Sequence, residues 1–155
     1  DDRPLVVTRT FSKTWSMAGA RLGYAIGPTW LVSALQAVAL PYHLDALKQR
    51  AGEIALDYAD HMHRRVSALV EERGRVAAGL AELAVDQWPS GANFILFRPR
   101  DRSGPEVWQA LVDRSVLVRN CASWPRLDGC LRVTLGTPEE NSAFLAALAE
   151  ILEEA

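Results

Sequence analysis

Residues 10–24 read TFSKTWSMAGARLGY, and this stretch decides the fold. Lys13 follows an apolar, strand-like run at residues 5–7, and Arg21 comes eight residues later, between two glycines. A lysine at the end of a strand, in a small apolar setting, can lose hydration, which frees its amine to attack a carbonyl. An arginine nearby offers a rigid fork that suits a phosphate. An amine and a phosphate anchor together are the minimum needed to hold pyridoxal phosphate.

By itself, the lysine–arginine spacing favours two solvated surface charges over a cofactor site. The complete string is more specific: Ser-Lys, seven residues, and then Arg-x-Gly-Tyr. It resembles the cofactor-lysine signature of the fold type I pyridoxal-phosphate aminotransferases of class I and II. The resemblance implies that Lys13 is the catalytic lysine and binds pyridoxal 5'-phosphate covalently. It also implies that Ser12 and Arg21 hold the cofactor phosphate.

Composition places the chain among globular proteins and excludes several partner classes. The 155 residues are 49% hydrophobic and 23% charged, which is enough for one domain with a real core. Seventeen basic and 19 acidic residues give a net charge of −2, which predicts neither nucleic-acid nor membrane binding. The chain does not begin with a pattern that resembles a signal peptide, so we expect a cytoplasmic protein. The run Asp-His-Met-His at residues 60–63 resembles a metal site, but residues two apart on a helix do not face each other, so we expect no metal. Cys121 and Cys130 are expected to be structural thiols rather than a disulfide.

Hydrophobic periodicity predicts an α/β protein. The first half should hold two strands, a helix that ends at Pro41, and a long helical region that begins at Asp45 and ends near Leu83. A break in that long region is expected near Gly52 or Gly74, because glycine weakens a helix. The predicted strands are Leu5–Thr10 and Leu22–Ile26.

The second half alternates strands and helices, which describes a small α/β sandwich. Strands are predicted at Val116–Val118 and Leu131–Leu135, and a helix at Glu106–Arg114. The run Thr-Pro-Glu-Glu at residues 137–140 is a strong helix start, with a capping threonine, a first-turn proline and a glutamate three residues after the cap.

A second cluster of candidate residues lies around Arg119 and Arg132. An arginine inside the apolar strand near residue 132 is costly unless it meets an anion or points to water. It could be an edge-strand arginine paired with a surface carboxylate, or a ligand for a bound anion. The segment resembles the substrate-arginine strand of aminotransferases, in which Arg132 matches the residue that binds an α-carboxylate.

Within the family, the segments Val-Arg-Asn, Ser-Trp-Pro and GCLRVTLGTPEEN resemble the histidinol-phosphate aminotransferases. That resemblance implies that Arg119 and Arg132 both face the substrate pocket, because the donor carries a phosphate where most amino donors carry a carboxylate. Arg132 would also bind the carboxylate of glutamate in the other half-reaction. Asn93 is a further substrate-pocket candidate, although a turn amide that satisfies backbone groups is an equal alternative.

In this family the cofactor lysine lies well past the middle of the chain, so the sequence resembles the C-terminal part of a longer enzyme. Residues 1–75 would then be the end of the large cofactor-binding domain with the interdomain helices, and residues 76–155 the small C-terminal domain. The resemblance implies a homodimer whose partners are a small-molecule amino donor and a 2-oxo acid. The cofactor residues upstream of the lysine cannot be assigned here, so the 155 residues alone are expected to be inactive.

Two kinds of alternative remain open at this stage. An aromatic aminotransferase or a threonine-phosphate decarboxylase shares the lysine motif, and the decarboxylase would also use an arginine-rich pocket. From a different class, the chain could be a non-catalytic remnant that folds as a small α/β module and packs against a partner.

Overall fold

A computed structural model describes residues 3–154, which confirm the predicted α/β class and form two compact units. The N-terminal unit runs to Val66, and the C-terminal unit begins at Ser67. The domain boundary predicted near residue 75 stays a prediction.

The N-terminal unit begins with a β-hairpin and continues as helices. Strands β1 (Val7–Thr10) and β2 (Gly23–Ile26) are antiparallel, with Thr10 opposite Gly23. A short 3-10 turn lies between them at Ala18–Ala20. Helices α1 (Thr29–Val38), α2 (Ala46–Leu56) and α3 (Ala59–Ala81) follow, and α3 continues into the C-terminal unit.

The predicted helix break lies at residues 57–58, a few residues after Gly52, and the chain continues as a helix through Gly52 and Gly74 themselves. Asp45 caps α2 as expected, its Oδ1 accepting from Lys48 N at 2.9 Å, but α2 ends at Leu56. Gly52 has a packing role instead: a Cβ there would lie 2.4 Å from Leu22 Cδ2. A side chain at position 52 would therefore require the Cδ2 methyl group of Leu22 to move.

The C-terminal unit is an antiparallel sheet covered by helices. Its strands are β3 (Val85–Gln87), β4 (Phe94–Pro99), β5 (Arg119–Asn120) and β6 (Leu131–Thr134), in the order β3-β4-β6-β5. Helix α4 (Gly104–Asp113) precedes β5, and α5 (Pro138–Glu153) follows β6. The capping box of α5 is present: Thr137 Oγ1 accepts from Glu140 N, and Glu140 Oε2 accepts from Thr137 N at 2.7 Å.

The strand predicted at Val116–Val118 is wrong, since the ladder begins only at Arg119. Two backbone groups of that segment are bound to α4 and not to a strand. Val116 N donates to Leu111 O at 2.9 Å, and Val118 O accepts from Trp108 Nε1 at 3.0 Å.

One face of the sheet builds the core of the C-terminal unit against α4, α5 and the end of α3. Along β6, Leu131 and Val133 are buried in that core, so the alternation of a strand turns Arg132 and Thr134 to the opposite face. This outer face therefore carries Arg132 and Thr134, next to Phe94 and Leu96 of β4. The fully buried core side chains include Val76, Leu80, Ile95, Phe97, Val107, Leu111, Leu131, Leu148 and Ile151.

Candidate functional site

In the N-terminal unit, the predicted cofactor residues lie in the loop of residues 11–22 that joins β1 to β2. Phe11 N donates to Leu22 O at 3.0 Å and closes the base of this loop. Both residues are buried, whereas Lys13 and Arg21 are exposed. Lys13 comes two residues after Phe11, and Arg21 comes one residue before Leu22. Since Phe11 and Leu22 are hydrogen-bonded to each other, the loop places both cations at the same end of the hairpin.

The side chains in this loop can hold an anion. Within residues 3–154, neither Lys13 nor Arg21 has a carboxylate partner, whereas Lys48 lies 3.0 Å from Asp45 Oδ2. Thr10 Oγ1 donates to Ser12 Oγ at 2.9 Å, which leaves the hydroxyl hydrogen of Ser12 for another acceptor. Two unpaired cations and a free hydroxyl donor are the groups that a phosphorylated aldehyde cofactor needs, so the residues fit pyridoxal 5'-phosphate.

Backbone geometry and neighbouring side chains determine the shape of this loop. Arg21 has a left-handed backbone (φ 54°), and its N–H donates to Ala18 O at 3.3 Å. A Cβ at Gly23 would lie 2.7 Å from Arg9 O, which explains the glycine of the motif. Arg65 on α3 donates from Nη2 to Ser16 Oγ. The loop is therefore anchored at its turn as well as at its base.

In the C-terminal unit, Arg119 on β5 and Arg132 on β6 are directly opposite each other in the antiparallel register. Like charges in such a pair repel each other. No carboxylate within the described range relieves this repulsion, since neither guanidinium makes an ion pair or a hydrogen bond there. Arg98, on the same outer face, differs in donating from Nη2 to Asp86 Oδ2 at 2.9 Å.

The two arginines line a cavity of about 480 Å³ on the outer face of the sheet. Trp108 forms part of its wall, and its indole N–H is occupied by Val118 O. Trp108 and Thr134 also line this cavity, although no sequence motif pointed to either residue. Trp108 could not be recognised from the sequence as a lining residue, because it also fits the apolar pattern of α4. The full lining is Trp108, Leu117, Val118, Arg119, Asn120, Arg132 and Thr134.

Asn93, the weakest site candidate, precedes β4 and is half-buried. Its main-chain carbonyl accepts from Leu135 N at 3.0 Å, and the loop before it is held by Arg73 Nη1, which donates to Ala92 O at 3.0 Å. Asn93 does not line the arginine cavity. Its role in substrate binding stays a prediction.

Other chemistry is not supported by the part of the chain that the structure describes. No three His, Cys, Asp or Glu residues group there as a metal site would require. No described helix combines the length and apolar character that crossing a membrane demands. Cys121 and Cys130 are both buried free thiols.

Sequence and structure comparisons agree on the family. The sequence profile of the aminotransferase class I and II family matches residues 1–148. A histidinol-phosphate aminotransferase of Corynebacterium efficiens is 47% identical over 147 residues, which are 95% of this chain and 38% of that protein. The chain therefore belongs to the class I and II aminotransferase family, and the resemblance seen in residues 10–24 is confirmed.

Solved structures share the fold. The histidinol-phosphate aminotransferase of Clostridium acetobutylicum gives a TM-score of 0.89 at 22% identity, covering 97% of this chain and 46% of that chain. The enzyme from Sinorhizobium meliloti, in complex with pyridoxal-5'-phosphate, gives a TM-score of 0.75 at 23% identity, covering 96% of this chain and 41% of that chain. The chain thus spans less than half the length of each of these three proteins.

Proposed function

We propose that the protein containing this chain is a pyridoxal-phosphate-dependent aminotransferase that exchanges amino groups between histidinol phosphate and 2-oxoglutarate in histidine biosynthesis. The observation that carries the choice of substrate is the cross-strand pair of Arg119 and Arg132, two cations without a carboxylate partner in residues 3–154. The match to histidinol-phosphate aminotransferases at 47% identity supports it. The family resemblance also carries our expectation of a cytoplasmic homodimer.

Each candidate residue has a defined task in this proposal. When bound, the cofactor supplies an electron sink for the carbanion at the substrate Cα. Lys13 Nζ would hold the cofactor at rest and, once its amine is free, would act as the base that accepts the proton from the substrate Cα. Ser12 Oγ and the Arg21 guanidinium bind the cofactor phosphate.

The two arginines of the C-terminal unit divide the work of substrate binding. A dianionic phosphate can use both guanidinium groups, whereas a single fork already satisfies a carboxylate. Arg132 would therefore bind both the phosphorylated donor and glutamate. Arg119 would bind only the phosphate and would distinguish the two substrates.

Steady-state kinetics of the full-length protein test this division. Arg119→Ala should lower kcat/KM for histidinol phosphate by the equivalent of about 2–5 kcal/mol and should lower it far less for glutamate. Arg132→Ala should lower kcat/KM for both substrates by about 2–5 kcal/mol. Arg98→Ala is the matched control, because Arg98 lies on the same face but is paired with Asp86. Equal losses for both substrates in Arg119→Ala would contradict a phosphate-binding role. Release of CO2 from threonine phosphate would instead identify a decarboxylase.

A further inference from the structure

The aromatic ring beside Arg132 has no assigned role. The guanidinium carbon of Arg132 lies 4.8 Å from the centre of the Phe94 ring. On β4 and β6, Phe94 is opposite Thr134 and Leu96 is opposite Arg132, so Phe94 and Arg132 are diagonal neighbours on the outer face. A cation at this distance over a ring face is attracted by the ring quadrupole.

Within residues 3–154 the Arg132 guanidinium makes no ion pair and no hydrogen bond, and the Phe94 ring is its cation–π partner. Arg132 Nε is buried without a hydrogen-bond partner in the described chain, and no carboxylate pairs with it there. Arg98 provides the contrast: it stacks over Trp88 at 5.7 Å, but its Nη2 is also bound to Asp86 at 2.9 Å. An ion pair therefore orients Arg98, whereas an aromatic ring orients Arg132.

Burial of Nε also decides which edge of Arg132 can meet an anion. The guanidinium can bind a carboxylate through Nε and one Nη, or end-on through both Nη groups. Among the three guanidinium nitrogens of Arg132, Nε is the one that is buried without a hydrogen-bond partner in the described residues. Arg132 also lines the 480 Å³ cavity. The end that carries the two Nη groups is therefore the one available to an anion.

We infer that Phe94 is a positioning residue for substrate binding. Its ring holds the Arg132 guanidinium in place, with Nε buried, so that the two Nη groups meet the substrate anion without a search through side-chain rotamers. This inference rests on the proposed function, since it takes Arg132 as the arginine that binds both substrates. The role belongs to the ring face, so a side chain of similar size without a negative face should not replace it.

Replacement of the Phe94 ring by pentafluorophenylalanine in the full-length enzyme tests the inference. This ring keeps nearly the same shape but reverses the quadrupole, so folding should persist while the attraction is lost. We expect KM for glutamate to rise about five- to tenfold with little change in kcat. Phe94→Tyr retains the ring face and should stay close to the parent value. Trp88→Leu, which removes the equivalent stack on Arg98, is the matched control and should leave KM unchanged.

The kinetic outcomes separate this inference from the proposed function. If Arg132→Ala impairs both half-reactions but the fluorinated ring leaves KM unchanged, the positioning role of Phe94 is overturned and the function stands. If Arg132→Ala impairs neither, the substrate assignment itself fails. The NMR chemical shift of the Arg132 Nε–H group, measured on ¹⁵N-labelled protein, is a second readout. The ring current of the aromatic side chain should displace this chemical shift in the parent and in Phe94→Tyr. An unshifted resonance in the parent would also overturn the inference.

Discussion

Asn141 on α5 donates a 2.7 Å hydrogen bond from Nδ2 to Glu72 Oε2 on α3, joining the two helices inside the C-terminal unit. Asn141 is buried, and its Oδ1 accepts from Gly136 N at 2.9 Å. Arg75 donates to the same carboxylate from Nε at 2.9 Å and from Nη2 at 2.7 Å. The hydrogen bonds from Arg75, followed by that from Asn141, lower the pKa of Glu72 to about 2.

This depressed pKa predicts a pH-dependent contribution to stability. A carboxyl whose pKa is lowered on folding stabilises the protein above its unfolded value, 4.5, and loses that contribution as the pH falls towards about 2. Glu72→Gln should therefore lower Tm at pH 7, and the difference from the parent should shrink between pH 4.5 and 2. Thermal unfolding followed by circular dichroism measures it. Glu71→Gln, its exposed neighbour, is the control, and a difference unchanged down to pH 2.5 would refute the linkage.

The capping box of α5 predicts a second effect on stability. Thr137 Oγ1 satisfies the backbone N–H of Glu140, which would otherwise have no partner at the start of the helix. Thr137→Ala should lower the free energy of unfolding by about 1 kcal/mol, whereas Thr137→Ser retains the hydroxyl and should change it by much less. Urea denaturation measures both. Equal losses in the two variants would assign the effect to the threonine methyl group.

The sequence predicted those helices and strands whose formation depends on neighbouring residues in the chain. The start of α5 follows from the run Thr-Pro-Glu-Glu, and the hairpin around residues 10–24 follows from two apolar runs and a specific motif. Position 52 shows the limit of such signals. A glycine there reads as a weak point of a helix, but its role depends on Leu22, which is thirty residues away in the sequence.

The same distinction applies to the candidate site. Arg119 and Arg132 were predicted from a motif, but their direct opposition arises from the register of two strands that the chain joins through a loop. Strand β5 is two residues long, too short for an alternating pattern to reveal. Trp108 lines the cavity only because α4 lies beside β5, so its position depends on tertiary packing.

The third prediction concerns the cofactor lysine. The chain contains two lysines, and Lys48 is paired with Asp45 whereas Lys13 has no carboxylate partner in the described residues. Borohydride reduction of the full-length protein with pyridoxal phosphate, followed by peptide mapping, should place the pyridoxyl group on Lys13. Lys13→Arg should abolish this label, and Lys48→Arg should retain it. A label on Lys48 in the parent protein would refute the assignment.

The last prediction concerns the phosphate anchor. Arg21→Lys keeps the positive charge but loses the planar fork that binds two phosphate oxygens. The left-handed backbone at position 21 disfavours both residues alike, because each has a Cβ, so the substitution adds no new conformational cost. Any change in cofactor binding then reports the guanidinium itself.

We expect Arg21→Lys to weaken binding of pyridoxal phosphate by about 1–3 kcal/mol, which corresponds to a loss of roughly 5- to 150-fold in affinity. Cofactor absorbance of the full-length protein, followed during dialysis, measures this loss. Arg9→Lys is the matched control, because Arg9 is an exposed arginine of the neighbouring strand whose Nη1 donates only to Thr8 O, at 3.2 Å. If both variants retain the cofactor as the parent does, the guanidinium of Arg21 does not bind the phosphate.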